Sequence, residues 1–370
     1  MAEATVIKPD LDFVKGVIAS GGESLKKCYQ CATCSVVCNV TPDNNPFPRK
    51  EMVWAQWGLK EKFIGNPDVW LCHQCNDCTV YCPRGAKPGE VLGAIRKQSI
   101  LQYSAPSFMG KLVNSKKFMP LLFLFPAVLF AIVLSAAGTF SMPEGDIVFS
   151  KFFPIHLIQA LFIPALALGS IVGILGVMKF WKDMKQAGGV VSGDLKGSII
   201  ETITDVVSHK KFKDCGINRD RYSAHLLVFY SFAALAIATA FGVLYIDILH
   251  MPSPFSFGYG TPVKLFGTVG AVALLIGVFL MIENRFKHAD RVGMGSYFDW
   301  LLVTIIGIVM ATGILSWMTR LTGIANLAYP IYFIHLVFIF SLFLYLPYSK
   351  LAHLFYRVAA ICYNKYSKRQ

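Results

Sequence analysis

Six apolar stretches, each about 20 residues or longer, restrict how this chain of 370 residues can fold. Lipid offers no hydrogen-bond partner to the backbone, so spanning segments of this length must form helices that satisfy their own backbone groups. The composition agrees, because 55% of the residues are hydrophobic and only 15% are charged. We predict spans at residues 118–140, 152–181, 222–249, 263–283, 297–318 and 328–349.

Lysine and arginine are unevenly distributed between the connections. They are frequent before the first span, in the 182–221 and 284–296 connections and in the C-terminal tail, whereas the alternate connections hold only Lys151 and Arg320. The positive-inside rule therefore predicts a multi-pass protein of the cytoplasmic (inner) membrane with both termini in the cytoplasm. The net charge of +13 is then explained by contact with anionic lipid headgroups, and it requires no nucleic-acid partner.

Eight of the ten cysteines fall in two copies of the pattern Cys-x2-Cys-x2-Cys-x3-Cys. This spacing is typical of the ligands of a [4Fe–4S] cluster, so the two runs predict two clusters. Zinc sites more often use two Cys-x2-Cys pairs with a longer gap, and disulfides would need an oxidising compartment, for which residues 1–27 show no apolar signal segment. The cysteines are Cys28, Cys31, Cys34 and Cys38 in the first run, and Cys72, Cys75, Cys78 and Cys82 in the second.

The two runs are expected to share their ligands. In two-cluster ferredoxins the fourth cysteine of a run ligates the other cluster, which assigns Cys82 to the first cluster and Cys38 to the second. The apolar spacing within residues 48–70, with Gly58 at a helix end, and the pattern over 88–102 both favour helices. We therefore predict an all-α protein, with a helical two-cluster ferredoxin domain at residues 1–110 and a six-helix membrane domain at residues 111–370.

Four histidines in or near the spans are candidate haem ligands, because histidine inside a membrane is costly and usually functional. His335 and His353 are 18 residues apart, which is five turns on one face of a continuous helix and about 27 Å along its axis. We predict two bis-histidine b haems, formed by His225 with His353 near the cytoplasm and by His156 with His335 near the outside. His250 is the alternative to His156. Each histidine could instead simply bond a carbonyl group.

The other histidines and cysteines lack such a pattern. His209 and His288 fall in charged cytoplasmic connections, and we expect them to be solvated. His73 lies between two cysteines of the second run, and we expect it to be solvated or to lie behind the cluster ligands. Cys215 and Cys362 have no spacing partner, so we interpret both as ordinary residues.

The run from His335 to His353 resembles the last helix of the gamma (cytochrome b) subunit of respiratory nitrate reductases, and Arg221-Tyr-Ser-Ala-His225 resembles its other ligand helix. That family carries a second histidine ten residues further along the helix, where this chain has Leu235; the missing ligand is therefore assigned to His156. A lysine serves the quinol site of that family, so the resemblance implies a quinone site at Lys264. A lysine whose head reaches the membrane surface is the alternative.

The fusion of the cysteine runs to this membrane body resembles the membrane subunit of the quinone-interacting oxidoreductase (Qmo) complexes of sulfate reducers. It is also similar to the C and E subunits of heterodisulfide reductases joined in one chain. The resemblance implies menaquinone as the lipid carrier, flavin-containing heterodisulfide-reductase-like subunits as partners and electron delivery towards adenylylsulfate reductase. We therefore expect an electron-transfer subunit that joins menaquinol, through two b haems and two clusters, to soluble partners.

Two other functions remain open at this point. One is a membrane subunit of a different assembly, such as a sulfite-reduction-linked Dsr complex or a heterodisulfide reductase. The other, from a different class, is a redox-sensing receptor or transporter, which would carry clusters without haem. A transporter would be expected to show inverted repeats with broken helices, and none is evident in the sequence.

Overall fold

The computed structural model describes residues 8–188, 191, 193–251 and 260–369, and every regular element in these ranges is helical. The prediction of an all-α protein is therefore confirmed. Two regions follow each other along the chain: a head of short helices that carries both cysteine runs, and a bundle of long apolar helices.

Within the described ranges, the head is built from seven α-helices that wrap around the two cysteine runs. Asp10 begins the first of them, because its carboxylate accepts a hydrogen bond from Phe13 N at 2.8 Å. Both helices predicted from spacing are present, and Gly58 follows the third helix with φ at 67°. The domain boundary predicted at residue 110 falls inside the seventh helix and stays a prediction. The helices are α1 (Leu11–Ala19), α2 (Thr33–Val36), α3 (Arg49–Gln56), α4 (Asp68–Leu71), α5 (Asp77–Val80), α6 (Pro88–Tyr103) and α7 (Ser107–Val113).

Six helices in the described part of the chain are long and apolar enough to cross a membrane, as the sequence predicts. Much of their surface is apolar and exposed, as lipid-facing helices require. The spans are α8 (Met119–Ala136), α10 (Ile155–Gly188), α12 (Arg221–Val243), α13 (Pro262–Lys287), α15 (Tyr297–Thr322) and α16 (Ala325–Leu344). The connections and the tail contain α9 (Phe149–Phe152), α11 (Leu195–Ser208), α14 (Ala289–Val292) and α17 (His353–Tyr366).

The last span does not continue to His353, which corrects the sequence analysis. α16 ends at Leu344, two short 3-10 turns follow at Leu346–Tyr348 and Lys350–Ala352, and α17 begins at His353. Pro347 explains the interruption, because proline has no amide hydrogen to donate and its ring clashes with the preceding turn of a helix. His335 and His353 therefore lie on two helices, and the argument from one shared helical face is wrong.

The head packs directly on the cytoplasmic ends predicted for the spans. Trp70 of α4 lies 5.2 Å from the ring of Tyr356 in α17 and 6.4 Å from Phe180 in α10. Tyr103 at the end of α6 contacts the same two rings, at 6.0 and 5.2 Å. Trp70, Phe180 and Tyr356 are fully buried in one continuous core, so the cysteine-bearing head is held in a fixed position on the bundle.

Candidate functional site

The two cysteine runs fold into loops with the same backbone conformation. In both loops the residue before the second cysteine and the residue after it are left-handed, which turns the chain tightly around a centre. Gln30 N lies 3.4 Å from Cys28 Sγ and Gln74 N lies 3.3 Å from Cys72 Sγ, so both loops donate an amide to their first sulfur. The left-handed residues are Gln30 (φ 61°) and Ala32 (φ 71°) in the first loop, and Gln74 (φ 53°) and Asn76 (φ 67°) in the second.

The structure gathers the thiols into the two sets that ligand sharing predicts. The neighbours of Cys34 include Cys82 of the other run together with the two cysteines that precede Cys34 in its own run. Cys38 lines a small cavity together with three cysteines of the second run. We call these the outer set and the inner set. The outer set is Cys28, Cys31, Cys34 and Cys82; the inner set is Cys38, Cys72, Cys75 and Cys78.

The donor chemistry of both sets fits an iron–sulfur cube, although the ligand assignment stays a prediction. Burial raises the pKa of Cys34 to about 11 and that of Cys38 to about 12, so both thiols hold their protons until a metal displaces them. Within the described ranges, no three His, Cys, Asp or Glu side chains converge tightly enough to bind a single metal ion. A cube would instead bind one thiolate at each of four separate iron atoms.

The two sets differ in their exposure and in what holds them. The outer set lies near the surface, where Cys31 is exposed and Tyr29 and Val36 are 67% and 83% exposed. In the inner set Cys72 is buried, and its carbonyl oxygen accepts hydrogen bonds from Arg96 Nη2 at 3.2 Å and Arg357 Nη1 at 3.0 Å. The outer set is therefore the end of the head that a soluble molecule can approach.

A segment of the connection between α11 and α12 packs against the inner loop, and we call residues 209–221 the strap. The Asp77 carboxylate accepts hydrogen bonds from Gly216 N and Ile217 N, both at 2.9 Å. At the end of the strap, Arg221 Nη1 donates to Gln74 O at 2.6 Å. These bonds join a span to a loop more than 130 residues earlier in the chain.

Cys215 of the strap lies against the inner set, which corrects its interpretation as an ordinary residue. Its thiol is 5% exposed and is hydrogen-bonded to the thiol of Cys75. This bond, together with burial, raises the pKa of Cys75. Sequence spacing could not reveal the contact, because no local pattern relates a single cysteine to a run that lies 140 residues away.

A cavity of about 610 Å³ lies beside the inner set, between the strap, α12, α13, α15 and α17. This volume is typical of a site for a cofactor-sized ligand. His225 and His353 both line the cavity, and their imidazoles are within electrostatic range of each other. His225 lies one helical turn after Arg221, and His353 one turn before Arg357, so each histidine is joined through an arginine to the inner loop.

The hydrogen bonds of these histidines fix which ring nitrogen carries the proton. His353 Nδ1 lies 2.6 Å from Lys350 O, an acceptor, so Nδ1 carries the hydrogen and Nε2 keeps its lone pair. His209 Nδ1 lies 3.2 Å from Val207 O, so His209 Nε2 must accept from His225 Nδ1 at 3.0 Å. In both His225 and His353, Nε2 is thus free to bind a metal, as is usual for metal-binding histidines.

Buried nitrogen donors around the cavity have no hydrogen-bond partner among the described residues. They include Arg96 Nε, Arg285 Nη1 and Arg357 Nη2, whose guanidinium groups are positively charged. Buried donors of this kind are normally paired, so the cavity is suited to a ligand that carries acidic groups. A haem, with two carboxylate arms and two open axial positions, fits both the arginines and the two Nε2 atoms.

Two histidines that were expected to be solvated belong to this site. His73 and His209 are 8% and 4% exposed, and burial lowers the pKa of both, so they are neutral. His288 also lines the cavity, and its Nε2 is a buried atom without a partner among the described residues. Their positions follow from how the strap and α13 fold over the inner loop, for which the sequence offers no periodic signal.

The predicted outer haem pair is not brought together. His156 is exposed, whereas His335 packs inward against α15, where its Nδ1 lies 3.0 Å from Val309 O and 3.2 Å from Thr312 Oγ1. His250, the alternative ligand, is also exposed. The pairing of His156 with His335 is therefore corrected, because the two side chains face different surroundings.

Lys264 lies near the beginning of α13, as expected, and is half-buried. The nearby charge that acts on it is that of Arg320 in α15. Leu235, which replaces a histidine of the nitrate reductase family, faces Gly270 of α13: a side-chain carbon added at Gly270 would lie 3.1 Å from it. That position is thus filled by close packing between two helices.

Comparisons with known proteins divide the chain at the same place as the structure. The family model for citrate utilization protein B matches residues 115–370, and that for a 4Fe-4S dicluster domain matches residues 24–86. Citrate utilization protein B of Escherichia coli is 26% identical over 94% of this chain and 91% of its own length. No solved structure matches the chain significantly.

The head also matches the C subunits of heterodisulfide reductases. The C subunit of the H2:CoB-CoM heterodisulfide,ferredoxin reductase of Methanothermobacter marburgensis is 33% identical over 24% of this chain and 49% of its own length. A protein of Archaeoglobus profundus that is described as similar to the same heterodisulfide reductase subunit is 33% identical over 24% of this chain and 47% of its own. The chain thus spans about half the length of these relatives, and the similarity is confined to the iron–sulfur head.

Proposed function

The chain belongs to the citrate utilization protein B family, and from this premise we propose that it is the membrane electron-transfer subunit of a heterodisulfide-reductase-like oxidoreductase complex. The similarity of the head to the C subunits of heterodisulfide reductases supports the iron–sulfur part of this function. The six long apolar helices support a membrane location. Electrons pass between a lipid-soluble carrier in the bilayer and a soluble partner at the outer set.

The observation that carries the proposal is the position of His225 and His353. Both line one cavity, both have Nδ1 engaged and Nε2 free, and both are joined through an arginine to the loop that holds the inner set. A b haem held by these two Nε2 atoms supplies one-electron chemistry with no open iron position. The proposed haem would thus be a second redox site directly beside an iron–sulfur site.

The residues of the chain provide ligands, charge and insulation. Arg96, Arg285 and Arg357 neutralise acidic groups of the bound cofactor, and the same arginines stabilise negative charge added near the inner set. Trp70 and Tyr356 exclude water between the head and the bundle, which keeps the region beside the cavity dry. The electron path is then cavity, inner set, outer set and partner.

Menaquinone is the proposed lipid carrier, and Lys264 a proposed contact of its ring oxygen. The support is the resemblance to cytochrome b subunits and the half-buried position of Lys264 in a span, where a charged group is usually functional. We place both termini and the head in the cytoplasm, because the basic residues lie in the connections on that side.

The soluble partner is proposed to be a flavin- and iron–sulfur-containing subunit of heterodisulfide-reductase type. Adenylylsulfate reductase is the acceptor that the resemblance to sulfate reducers implies. The similarity to citrate utilization protein B along almost the whole chain favours a second candidate, in which a soluble enzyme of citrate utilization donates electrons that then reach the quinone. Mass spectrometry of the proteins that co-purify with the chain separates the two.

Haem content tests the proposal. The pyridine haemochrome of the purified protein should show b-type haem, and His225→Ala and His353→Ala should each remove the haem of the cavity. His250→Ala is the matched control, because His250 is exposed and lies outside the cavity. If both cavity variants keep the haem content of the control, the proposed site is wrong.

A further inference from the structure

We propose that His209 is a positioning residue for the haem ligand His225, and that the strap fixes this ligand and the inner cysteine loop as one unit. The inference rests on the proposed haem site. It adds a residue that sequence reasoning placed in solvent, and it predicts that the two axial histidines are held in different ways.

The contact is a relay of two imidazoles that starts from a backbone carbonyl. Val207 O accepts from His209 Nδ1 at 3.2 Å, and His209 Nε2 accepts from His225 Nδ1 at 3.0 Å. Each donor has only one available acceptor in this relay, so the tautomers of both rings are determined. His225 Nε2 is left with its lone pair directed away from His209.

The backbone of His209 is shaped to make this contact. His209 ends α11 with φ at 52°, a left-handed conformation that costs a residue with a side chain about 1–2 kcal/mol. Residues in such conformations persist where the surrounding structure determines them, and they cluster at functional sites. Here the conformation turns the His209 ring from the end of α11 towards the first turn of α12.

The ring is also enclosed by aromatic side chains. Phe229 of α12 lies 4.9 Å from the His209 ring centre and Phe212 of the strap lies 5.5 Å from it, while the side chain as a whole is 4% exposed. Phe212 also lies 4.8 Å from the His225 ring and 5.0 Å from His73 in the inner loop. The strap thus touches both the haem ligand and the cysteine loop.

The two axial ligands therefore differ in the group behind them. His353 donates to a carbonyl of its own turn, Lys350 O, whereas His225 donates to an imidazole from a separate element. Such outer partners orient a ligand and raise its basicity, and their loss typically weakens metal binding by about 10–100-fold. Losing the His209 contact should thus alter the His225 side of the haem while leaving the His353 side intact.

The test compares three variants of the full chain in detergent. His209→Ala removes the acceptor, His209→Gln offers an amide oxygen as a replacement, and Tyr230→Phe is the matched control. Tyr230 OH donates to the same Val207 O at 2.9 Å without touching His225. Measurements are the ferric haem EPR g-values, the haem midpoint potential and the haem dissociation constant, with the iron–sulfur EPR signals as a check on folding.

His209→Ala should change the g-values, raise the midpoint potential and weaken haem binding about 10–100-fold. His209→Gln should restore much of each property, and Tyr230→Phe should match the wild type. The inference is overturned if His209→Ala has wild-type g-values and potential, or if alanine and glutamine variants behave alike while the iron–sulfur signals are intact. Failure of the haem site itself is distinguishable, because His225→Ala would then retain haem.

Discussion

Replacing Gly65 by alanine should loosen the attachment of the head to the bundle. Gly65 has φ at 66°, and an added side-chain carbon would lie 2.7 Å from Met184 N and still closer to the Asp183 carbonyl in α10. Its amide donates to Tyr103 OH at 3.0 Å, which in turn donates to Asp183 Oδ2 at 3.0 Å, so the turn cannot move freely. Both neighbours are backbone, which leaves no flexible side chain to yield.

The expected loss has two parts. The left-handed conformation costs alanine about 1–2 kcal/mol, and the clash with α10 adds about 1–3 kcal/mol. Gly85→Ala is the matched control, because Gly85 has φ at 65° and nothing within 4 Å of the added carbon. The difference between the variants therefore isolates the clash.

Thermal unfolding in detergent, followed by tryptophan fluorescence, measures this difference. Trp70 lies in the core between the head and the bundle, so its emission reports on separation. At about 2–4 °C per kcal/mol, the midpoint of Gly65→Ala should lie about 2–12 °C below that of Gly85→Ala. Equal midpoints would refute the close contact between the turn and α10.

Two further variants test other contacts. Burial and the neighbouring Asp68 raise the pKa of Glu51 to about 8, so the stability that its neutral form provides is complete below about pH 4.5 and lost as the pH rises through 8. Glu51→Gln cannot ionise and should abolish the fall in unfolding midpoint between pH 7 and 9; an unchanged fall would contradict the assignment. Cys215→Ala should shift the EPR potential of only one cluster, whereas Cys362→Ala, the control, should shift neither; a silent Cys215→Ala would remove Cys215 from the inner set.

The sequence predicts those features that depend on local patterns. Length and hydropathy gave six spans within a few residues, and Gly58 and the spacing of apolar residues gave two helices of the head. The cysteine spacing predicted two sets of thiols that the fold brings together. Depth in the membrane paired His225 with His353, and both lie at the ends of helices that meet at one cavity.

Contacts that depend on tertiary packing could not be predicted. His209 and Cys215 lie in a charged connection, and only the docking of the strap on Asp77 buries them beside the ligands. The pairing of His156 with His335 failed because depth alone does not determine which face of a helix a side chain occupies. Pro347 was a visible signal that the last span ends early, and the argument from helical periodicity overlooked it.

The composition of the purified protein tests the central claim most directly. Iron, acid-labile sulfide and haem should be measured per chain, together with the reduced-minus-oxidised spectrum. We expect about eight non-haem irons, for two [4Fe–4S] clusters, and at least one b haem that disappears in His225→Ala. A protein that binds the full complement of iron and sulfide but shows no b-type absorbance would contradict the account of an electron path through the cavity.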